Sequence, residues 1–275
     1  MELEILRYIQ QFASPVLDNF FLFITILGEQ VPIVAIFTFI YWCVNKEMGE
    51  YIAFSLFQSI CLNGLVKDIF RMPRPIGQEG VRSLRVETAT GHSFPSGHTQ
   101  TSATFWASMA FWSKKPWAWA GLLALCPLIA LSRMYLGVHW PKDVAVGFLL
   151  GLISAGISIC LFRRVKNRER LYWAGAAFSL VILLVAGSKD YITASGLFCG
   201  FAAAYSMEQR WAGFQPVKEW RKRLLRWVLG MALVGLVYVA GSFLPQQPLF
   251  YWLTGFLTTF AGVAVYPWVF TKLGF

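Results

Sequence analysis

Three short stretches of the sequence bring basic, imidazole and hydroxyl side chains into a chain that is otherwise strongly apolar. Residues 67–75 read KDIFRMPRP, residues 95–98 read PSGH and residues 132–143 read SRMYLGVHWPKD. Two of the three histidines in the chain, His98 and His139, lie in these stretches. Cationic and imidazole side chains are costly at a membrane boundary unless they bind or react with an anion. The three stretches therefore predict a phosphate site at the edge of a bilayer.

The first stretch contains two cations that suit a phosphate. Lys67 ends an apolar run, and Arg74 lies seven residues later between Pro73 and Pro75. A single lysine in such a place is commonly a snorkelling anchor. The chemical alternative is that Lys67 supplies a point charge and Arg74 a planar fork for two phosphate oxygens. The two prolines restrict the backbone around Arg74 and favour a fixed direction for its side chain.

The second stretch predicts the N-terminus of a helix. Pro95 to His98 precede an apolar run, and the free N–H groups and the dipole of a helix N-terminus favour an anion. Ser96 adds a hydroxyl group, Gly97 permits close approach of the backbone, and His98 can donate a proton. Ser-Gly before a helix is also ordinary capping, so a structural role for this stretch alone stays open.

The third stretch pairs an imidazole with a carboxylate. His139 and Asp143 are four residues apart, and Pro141 between them indicates the start of a helix. Asp143 can accept a hydrogen bond from one imidazole nitrogen and leave the other nitrogen nucleophilic, as in other nucleophile–orienter arrangements. Its alternative role is that of a helix cap. Arg133 lies at the end of an apolar run and is either a phosphate ligand or a membrane-interface anchor.

The composition is that of a membrane protein rather than a soluble domain. The 275 residues are 57% hydrophobic and 14% charged, whereas a soluble domain carries roughly a quarter charged residues. The sequence therefore predicts an all-α, polytopic transmembrane bundle. Five isolated cysteines, without a CxxC or a Cys/His cluster, indicate neither a disulfide framework nor a zinc site.

The net charge of +10 does not point to nucleic acid. The densest basic runs, residues 163–168 and 218–226, lie between apolar segments, as Lys and Arg do in cytoplasmic loops. Anionic lipid head groups are the partners expected there. Residues 1–12 combine Leu3, Leu6 and Ile9 with Glu2 and Glu4, which predicts an amphipathic helix at the membrane interface.

The elements that must position the three stretches are apolar segments long enough to be membrane helices. We expect nine spans, at residues 31–44, 51–69, 99–112, 117–136, 144–162, 171–187, 191–207, 227–244 and 250–270. With the basic loops in the cytoplasm, all three stretches emerge on the opposite face. The connection 71–97 is itself basic, with Arg71, Arg74, Arg82 and Arg85, and we expect a functional anion site to explain this exception.

The three stretches together resemble the motifs of the type 2 phosphatidic acid phosphatase (PAP2) superfamily, which includes bacterial membrane lipid phosphatases. The family pattern is Lys-x6-Arg-Pro, then Pro-Ser-Gly-His, then Ser-Arg-x5-His-x3-Asp. Here it is matched by Lys67 with Arg74-Pro75, by residues 95–98, and by Ser132-Arg133 with His139 and Asp143. The resemblance covers roughly residues 31–162. It implies a six-helix core, to which about four C-terminal transmembrane helices are added here.

The resemblance also implies a mechanism without metal or other cofactor. His139 is implied to attack phosphorus and form a phosphohistidine, Asp143 to hold its tautomer, and His98 to protonate the leaving group. The implied ligands of the phosphate oxygens are Lys67, Arg74, Ser96, Gly97 and Arg133. Of the residues outside the pattern, His92 is either a loop residue, the interpretation favoured, or a residue that lines the entrance for the head group.

The predicted organisation has three segments. Residues 1–30 form the N-terminal amphipathic segment, which the family comparison makes a candidate part of the core, residues 31–162 the catalytic core, and residues 163–275 the extension. We expect an integral protein of a bacterial inner membrane that dephosphorylates a lipid monoester or pyrophosphate at the periplasmic or exterior face. Two alternatives stay open: a phosphotransferase with a lipid or sugar acceptor, and a lipid transporter. The lipid and the oligomeric state are not specified.

Overall fold

A computed structural model of the protein describes residues 1–274, which form helices and connecting loops without a β-strand. The predicted all-α class is therefore confirmed. Three of the longer helices contain a π-helical turn, at Ile40–Val44, Gly121–Leu125 and Ala261–Val265. The helices are α1 (Glu2–Gln10), α2 (Pro15–Leu27), α3 (Gln30–Val44), α4 (Lys46–Phe70), α5 (Gly97–Ser113), α6 (Pro116–Tyr135), α7 (Pro141–Arg164), α8 (Arg168–Ile182), α9 (Lys189–Trp211), α10 (Trp220–Ser242) and α11 (Pro248–Leu273).

Local sequence signals explain where these helices begin. Proline is the first residue of α2, α6, α7 and α11, a position where its missing N–H has no helical partner to lose. The hydroxyl of Ser14 caps α2, the amide of Asn167 caps α8 and the hydroxyl of Ser188 caps α9. The predicted helix starts at PSGH and at Pro141 are both found.

Five helices are long and apolar enough to cross a membrane, and a sixth span results if the bent pair α2 and α3 counts as one. The five are α4, α6, α7, α10 and α11. The predicted spans 99–112 and 171–187 fall on α5 and α8, which have 17 and 15 residues. The span 191–207 falls on α9, which is 23 residues long but carries many buried Gly, Ala and Ser residues. The first two helices are shorter than a typical membrane span, and the third is too rich in small and polar residues to count as one.

The residues of the three stretches lie in one compact unit, composed of Met1–Ile33 and Leu62–Ile159. One part of its core is formed by Phe21 of α2 against Tyr135, Leu136 and Val138 at the end of α6. A second cluster joins Ala107 of α5, Leu122 and Cys126 of α6, and Ala155 of α7. The apolar packing thus fixes the α6–α7 connection, which carries His139, against α2.

Salt bridges tie α2 and the turn that follows it to the long connection 71–97. Arg82 donates to both carboxylate oxygens of Asp18 at 2.8 and 2.6 Å, and Tyr135 donates to the same carboxylate at 2.6 Å. Arg85 donates to Glu29 at 2.7 Å. The expectation that an anion site explains all the basic residues of this connection is therefore wrong for Arg82 and Arg85. Their positive charges are balanced by the carboxylates of Asp18 and Glu29 instead.

The other compact unit consists of Val34–Cys61 and Cys160–Phe275. Within it α9 and α11 approach closely, because a Cβ atom on Gly196 would lie 2.2 Å from the carbonyl oxygen of Trp252. The same measure is 2.3 Å between Gly200 and the carbonyl oxygen of Phe256. Small residues four apart on one helix allow such contacts between membrane helices. At the other end of α9, buried Glu208 pairs with Lys46 at 2.5 Å.

The two units interleave along the chain. Residues 34–61, which the sequence assigns to the catalytic core, group with residues 160–275. The extension does consist of four helices, α8 to α11. The boundaries predicted at residues 30 and 162 remain predictions.

Candidate active site

Main-chain hydrogen bonds hold the three stretches together. The N–H of Ser96, the N-cap residue of α5, donates to the carbonyl of Asp143 in the first turn of α7 at 2.9 Å. The N–H of Ser93 donates to the carbonyl of Met72 at 2.9 Å, next to the Pro73–Arg74 bond. The starts of α5 and α7 and the segment that follows α4 therefore meet at one place.

His139 lies in the α6–α7 connection and is 2% exposed. Its Nδ1 is 3.2 Å from Oδ2 of Asp143, and its Nε2 is 3.0 Å from Nη1 of Arg74. A guanidinium has donors only, so Nε2 must be the acceptor in the second contact. A carboxylate accepts, so Nδ1 carries the proton. The hydrogen-bond pattern therefore leaves the lone pair of the imidazole on Nε2.

The charges around His139 favour its neutral form. Burial lowers the pKa of His139 well below its usual value of 6.5, and the positive charges of Arg74, Arg133 and Lys67 lower it further. A main-chain hydrogen bond with Ser93 acts in the opposite direction without reversing the shift. A neutral imidazole with a free lone pair is the nucleophilic form.

Asp143 is completely buried and receives three hydrogen bonds on one oxygen. Its Oδ2 accepts from the hydroxyl of Ser93, from the N–H of Trp140 at 2.9 Å and from Nδ1 of His139. The other oxygen, Oδ1, has no hydrogen-bond partner among residues 1–274. The carboxylate is thus held through a single oxygen, which fixes its direction toward His139.

Arg74 is oriented by main-chain carbonyl groups. Its Nη2 donates to Thr90 at 2.6 Å and to His92 at 3.2 Å, its Nε donates to Gly91 at 3.1 Å, and its Nη1 donates to Val138 at 2.9 Å. These four carbonyl oxygens point the guanidinium at His139. His92, placed in a loop by the sequence, contributes through its backbone.

Arg133 is a second cation directed into the interior, with no exposed surface. Its Nη1 donates to the hydroxyl of Thr25 in α2 at 2.8 Å. Its Nε and Nη2 are buried and have no partner in the part of the chain that the structure describes. A buried donor without a partner is costly, so these two N–H groups are suited to an anion that arrives with the substrate.

The remaining predicted residues gather at the start of α5. The Nε2 of His98 is buried and has no hydrogen-bond partner within residues 1–274. Burial lowers the pKa of His98 well below its usual value of 6.5, and the positive charges of Arg133, Lys67 and Arg74 lower it further. Lys67, which is 8% exposed, places its Nζ 4.0 Å from where a Cβ on Gly97 would lie. Ser96 is buried and accepts a hydrogen bond from Thr99 at 3.1 Å.

All eight predicted site residues thus lie near one another. The structure adds residues that motif spacing did not reveal. Ser93 and Trp140 bind Asp143, and Thr25 binds Arg133. The side chain of Asn63, one turn before Lys67 on α4, donates to Gln100 of α5 at 2.9 Å. Of these residues, only Trp140, inside the third stretch, and Ser93, two residues before the second, lie close to the motifs in the sequence.

The arrangement presents a buried, neutral imidazole surrounded by cations. The lone pair of His139, the N–H groups of Arg74 and Arg133, the Nζ of Lys67 and the imidazole of His98 converge there. Phosphoryl transfer needs positioning and charge stabilisation of this kind. Within residues 1–274, the Asp, Glu, His and Cys side chains form no group of three or more arranged to hold a metal ion.

Comparison with known proteins extends from the catalytic part to the C-terminal helices. The PAP2 superfamily profile matches residues 50–167, and the profile for the PAP2 superfamily phosphatase transmembrane extension matches residues 192–275. The crystal structure of LpxE from Aquifex aeolicus is 32% identical in sequence. That match covers 57% of this chain and 94% of LpxE, with a TM-score of 0.50.

Two relatives match different extents of the chain. The undecaprenyl-diphosphatase of Sulfolobus acidocaldarius is 27% identical over 159 residues, which are 57% of this chain and 76% of that protein. Sphingosine-1-phosphate phosphatase 1 of Rattus norvegicus is 25% identical over 246 residues, which are 78% of this chain and 57% of that protein.

The matched regions account for the site and for the extension. The first profile contains all three stretches, from Lys67 to Asp143, and the second contains α10 and α11 in full. LpxE is matched almost over its whole length. The family predicted from the motifs is confirmed, and the chain is an integral membrane phosphatase that belongs to the PAP2 superfamily.

Proposed function

We propose that this phosphatase hydrolyses a lipid phosphate monoester or a lipid pyrophosphate at the non-cytoplasmic membrane face, through a phosphohistidine on His139. The observation that carries the proposal is the pair of contacts on the imidazole. Asp143 accepts a hydrogen bond from Nδ1–H and Arg74 faces Nε2, so the lone pair of Nε2 points toward the cations. That is where a phosphate would bind.

In the first step, Nε2 of His139 forms a bond to phosphorus while the bond from phosphorus to the lipid oxygen breaks. The electron pair of that bond stays on the leaving oxygen, which takes a proton from the imidazolium form of His98. Burial and the nearby cations lower the pKa of His98 in the free site, and the negative charge of the bound phosphate favours the imidazolium. Arg74 exchanges Nε2 for a phosphate oxygen, and the two unpaired N–H groups of Arg133 bind another. Asp143 stabilises the positive charge that His139 gains.

In the second step, a water oxygen attacks phosphorus and the N–P bond breaks, so that its electron pair returns to Nε2. His98, now neutral, takes a proton from the attacking water, in accordance with microscopic reversibility. Inorganic phosphate leaves. Lys67 and the N–H groups at the start of α5 hold the remaining oxygens in both steps.

Two observations support a lipid substrate at the outer face. The residues of the site lie at the ends of α4, α5 and α7, not in the middle of a span. The basic loops 163–170 and 208–226 lie at the other end of the predicted spans and are expected in the cytoplasm. Relatives named for undecaprenyl diphosphate and for sphingosine 1-phosphate provide the two substrate classes to compare.

The function is tested with detergent-solubilised protein and two labelled substrates, a sphingoid-base monophosphate and a polyprenyl pyrophosphate. Wild-type protein should release labelled inorganic phosphate from at least one, and acid-labile label should remain on the protein after rapid quenching. His139→Ala should lose both signals. Equal release by wild type and His139→Ala would refute the nucleophile, and label recovered on an added lipid or sugar would indicate a phosphotransferase instead.

The membrane face is tested separately, in intact cells. Gln78→Cys in the connection 71–97 should react with a thiol reagent that cannot cross the membrane, and Lys166→Cys should react only after the cells are opened. The reverse pattern would contradict the proposed orientation.

A further inference from the structure

We propose that Ser93 is a positioning residue of this phosphatase, whose hydroxyl holds the Asp143 carboxylate so that His139 keeps its proton on Nδ1. The inference rests on the proposed function of His139 as the nucleophile. Ser93 lies outside the three motifs, two residues before Pro95.

Ser93 connects all three stretches. Its hydroxyl donates to Oδ2 of Asp143, its N–H donates to the carbonyl of Met72 at 2.9 Å, and two residues later the chain enters the second stretch. The residue is completely buried, so water cannot replace its hydroxyl. The position of Asp143 therefore depends on a side chain supplied by the connection 71–97.

The hydroxyl of Ser93 is needed because the carboxylate has few other donors. Oδ2 of Asp143 accepts from Ser93, from the N–H of Trp140 and from His139, while Oδ1 has no partner among the described residues. A buried carboxylate requires donors to remain charged and directed. Without Ser93, only one donor besides His139 would remain, and the carboxylate could turn so that its free oxygen faces other groups.

A rotated carboxylate affects the imidazole directly. Arg74 donates to Nε2 of His139 in the resting site, and Asp143 accepts from Nδ1. If Asp143 no longer accepts from Nδ1, part of the population can carry the proton on Nε2 with the Arg74 contact broken, and that proton blocks the nucleophilic lone pair. Ser93 would thereby control chemistry without touching the substrate.

Kinetics provide the first test. Ser93→Ala should lower kcat for phosphate release by about 10- to 100-fold, the range expected when a charged group loses a hydrogen bond, and should leave KM within about twofold. The control is Ser102→Ala, which removes a buried hydroxyl in α5 that has no partner within residues 1–274. Ser102→Ala should keep the wild-type kcat.

The dependence on Asp143 is tested with a double variant. Asp143→Asn and Ser93→Ala/Asp143→Asn should have the same kcat within about twofold, because Ser93 acts only through the carboxylate. Independent, multiplicative losses would overturn the proposal. A wild-type kcat in Ser93→Ala would overturn it as well.

A spectroscopic test does not require a known substrate. The chain has three histidines, so ¹⁵N spectra of histidine-labelled protein resolve each ring. His139 should carry its proton on Nδ1 in wild type and in Ser102→Ala, and should show both tautomers in Ser93→Ala. Unchanged ¹⁵N shifts in Ser93→Ala would refute the inference even if the wild type proved inactive on every lipid tried. Ser93→Gly removes the same hydroxyl if the alanine variant does not fold.

Discussion

His139 is held between a carboxylate and a guanidinium, and this pair of neighbours determines how it titrates. Because burial and the charges of Arg74, Arg133 and Lys67 lower its pKa, the neutral imidazole persists when the pH falls below 6.5. Protonation, which would occupy Nε2, occurs only as the pH falls further through the lowered pKa. The lone pair of the proposed nucleophile therefore stays available in mildly acidic surroundings.

We predict that the ¹⁵N titration of His139 in the substrate-free protein has a midpoint clearly below 6.5. The free protein is the appropriate sample because the phosphate of a substrate titrates in the same range. Arg133→Gln removes one of the nearby positive charges and should move the midpoint toward higher pH. A midpoint at or above 6.5 in wild type, unmoved by Arg133→Gln, would contradict the electrostatic explanation.

His98 is expected to act on the leaving group and not on phosphorus. His98→Ala should reduce kcat on an alkyl phosphate by about 10²- to 10⁴-fold, since an alkoxide leaves poorly without a proton. The loss on a nitrophenyl phosphate should be at least about tenfold smaller, because that leaving group departs as an anion. The comparison of the two substrates is the measurement. Equal losses would assign His98 to phosphate binding.

The residues that contact phosphate in the proposal were predictable because their motifs are short and their spacing is fixed. Their partners were not. Thr25 lies 108 residues from Arg133, and no local pattern in α2 distinguishes it from other threonines. The carbonyl groups that hold Arg74 belong to Thr90, Gly91, His92 and Val138, and a backbone group has no signature in the sequence.

Among the secondary-structure elements, α2 has a role that its amphipathic neighbour α1 does not suggest. It supplies Asp18, which binds Arg82 and Tyr135, and Thr25, which binds Arg133. The sequence predicted the helix starts at residues 95–98 and at Pro141. It could not predict which carboxylates face the arginines of the connection 71–97, because such pairs join residues more than 50 positions apart.

Arg82→Ala and Arg74→Ala separate a structural arginine from a functional one within the same connection. Arg82 pairs with Asp18 in a partly exposed bridge, so its loss should lower the free energy of unfolding by about 1 kcal/mol or less and leave kcat within about twofold. Arg74→Ala should lower kcat by about 10- to 100-fold or more. Thermal unfolding and phosphate release are measured on both. A large loss of kcat in Arg82→Ala would show that Arg82 contributes to the anion site after all.

For the molecule as a whole, the sequence correctly indicated helices and a four-helix extension, but not how the helices group. Residues 34–61 lie on α3 and α4, which are both apolar helices. Hydropathy carries no information about which other helices they pack against. The close contact of α9 with α11 depends on the positions of single glycines. The sequence alone does not show which of these glycines faces the backbone of another helix.

The glycine contact can be tested with one matched pair. Gly200→Leu places a side chain where a Cβ already lies 2.3 Å from the carbonyl oxygen of Phe256, whereas Gly235 of α10 has nothing within 4 Å of its Cβ position among the described residues. Gly200→Leu should destabilise the protein by about 1–3 kcal/mol or more, and Gly235→Leu should not. Melting temperatures in one detergent provide the measurement. Equal melting temperatures for the two variants would show that the α9–α11 contact is looser than described.

The carbonyl groups around Arg74 have an evolutionary consequence. Since the backbone at positions 90–92 makes these bonds, the side chains of Thr90 and His92 can change without disturbing the guanidinium, whereas Gly91 is required by its left-handed backbone with a φ of 60°. Functional constraint at these positions acts on loop length and backbone path. A survey of tolerated substitutions should therefore find positions 90 and 92 permissive to replacement, position 91 restricted to glycine, the segment 90–92 intolerant of a single-residue deletion, and Arg74 intolerant of any replacement.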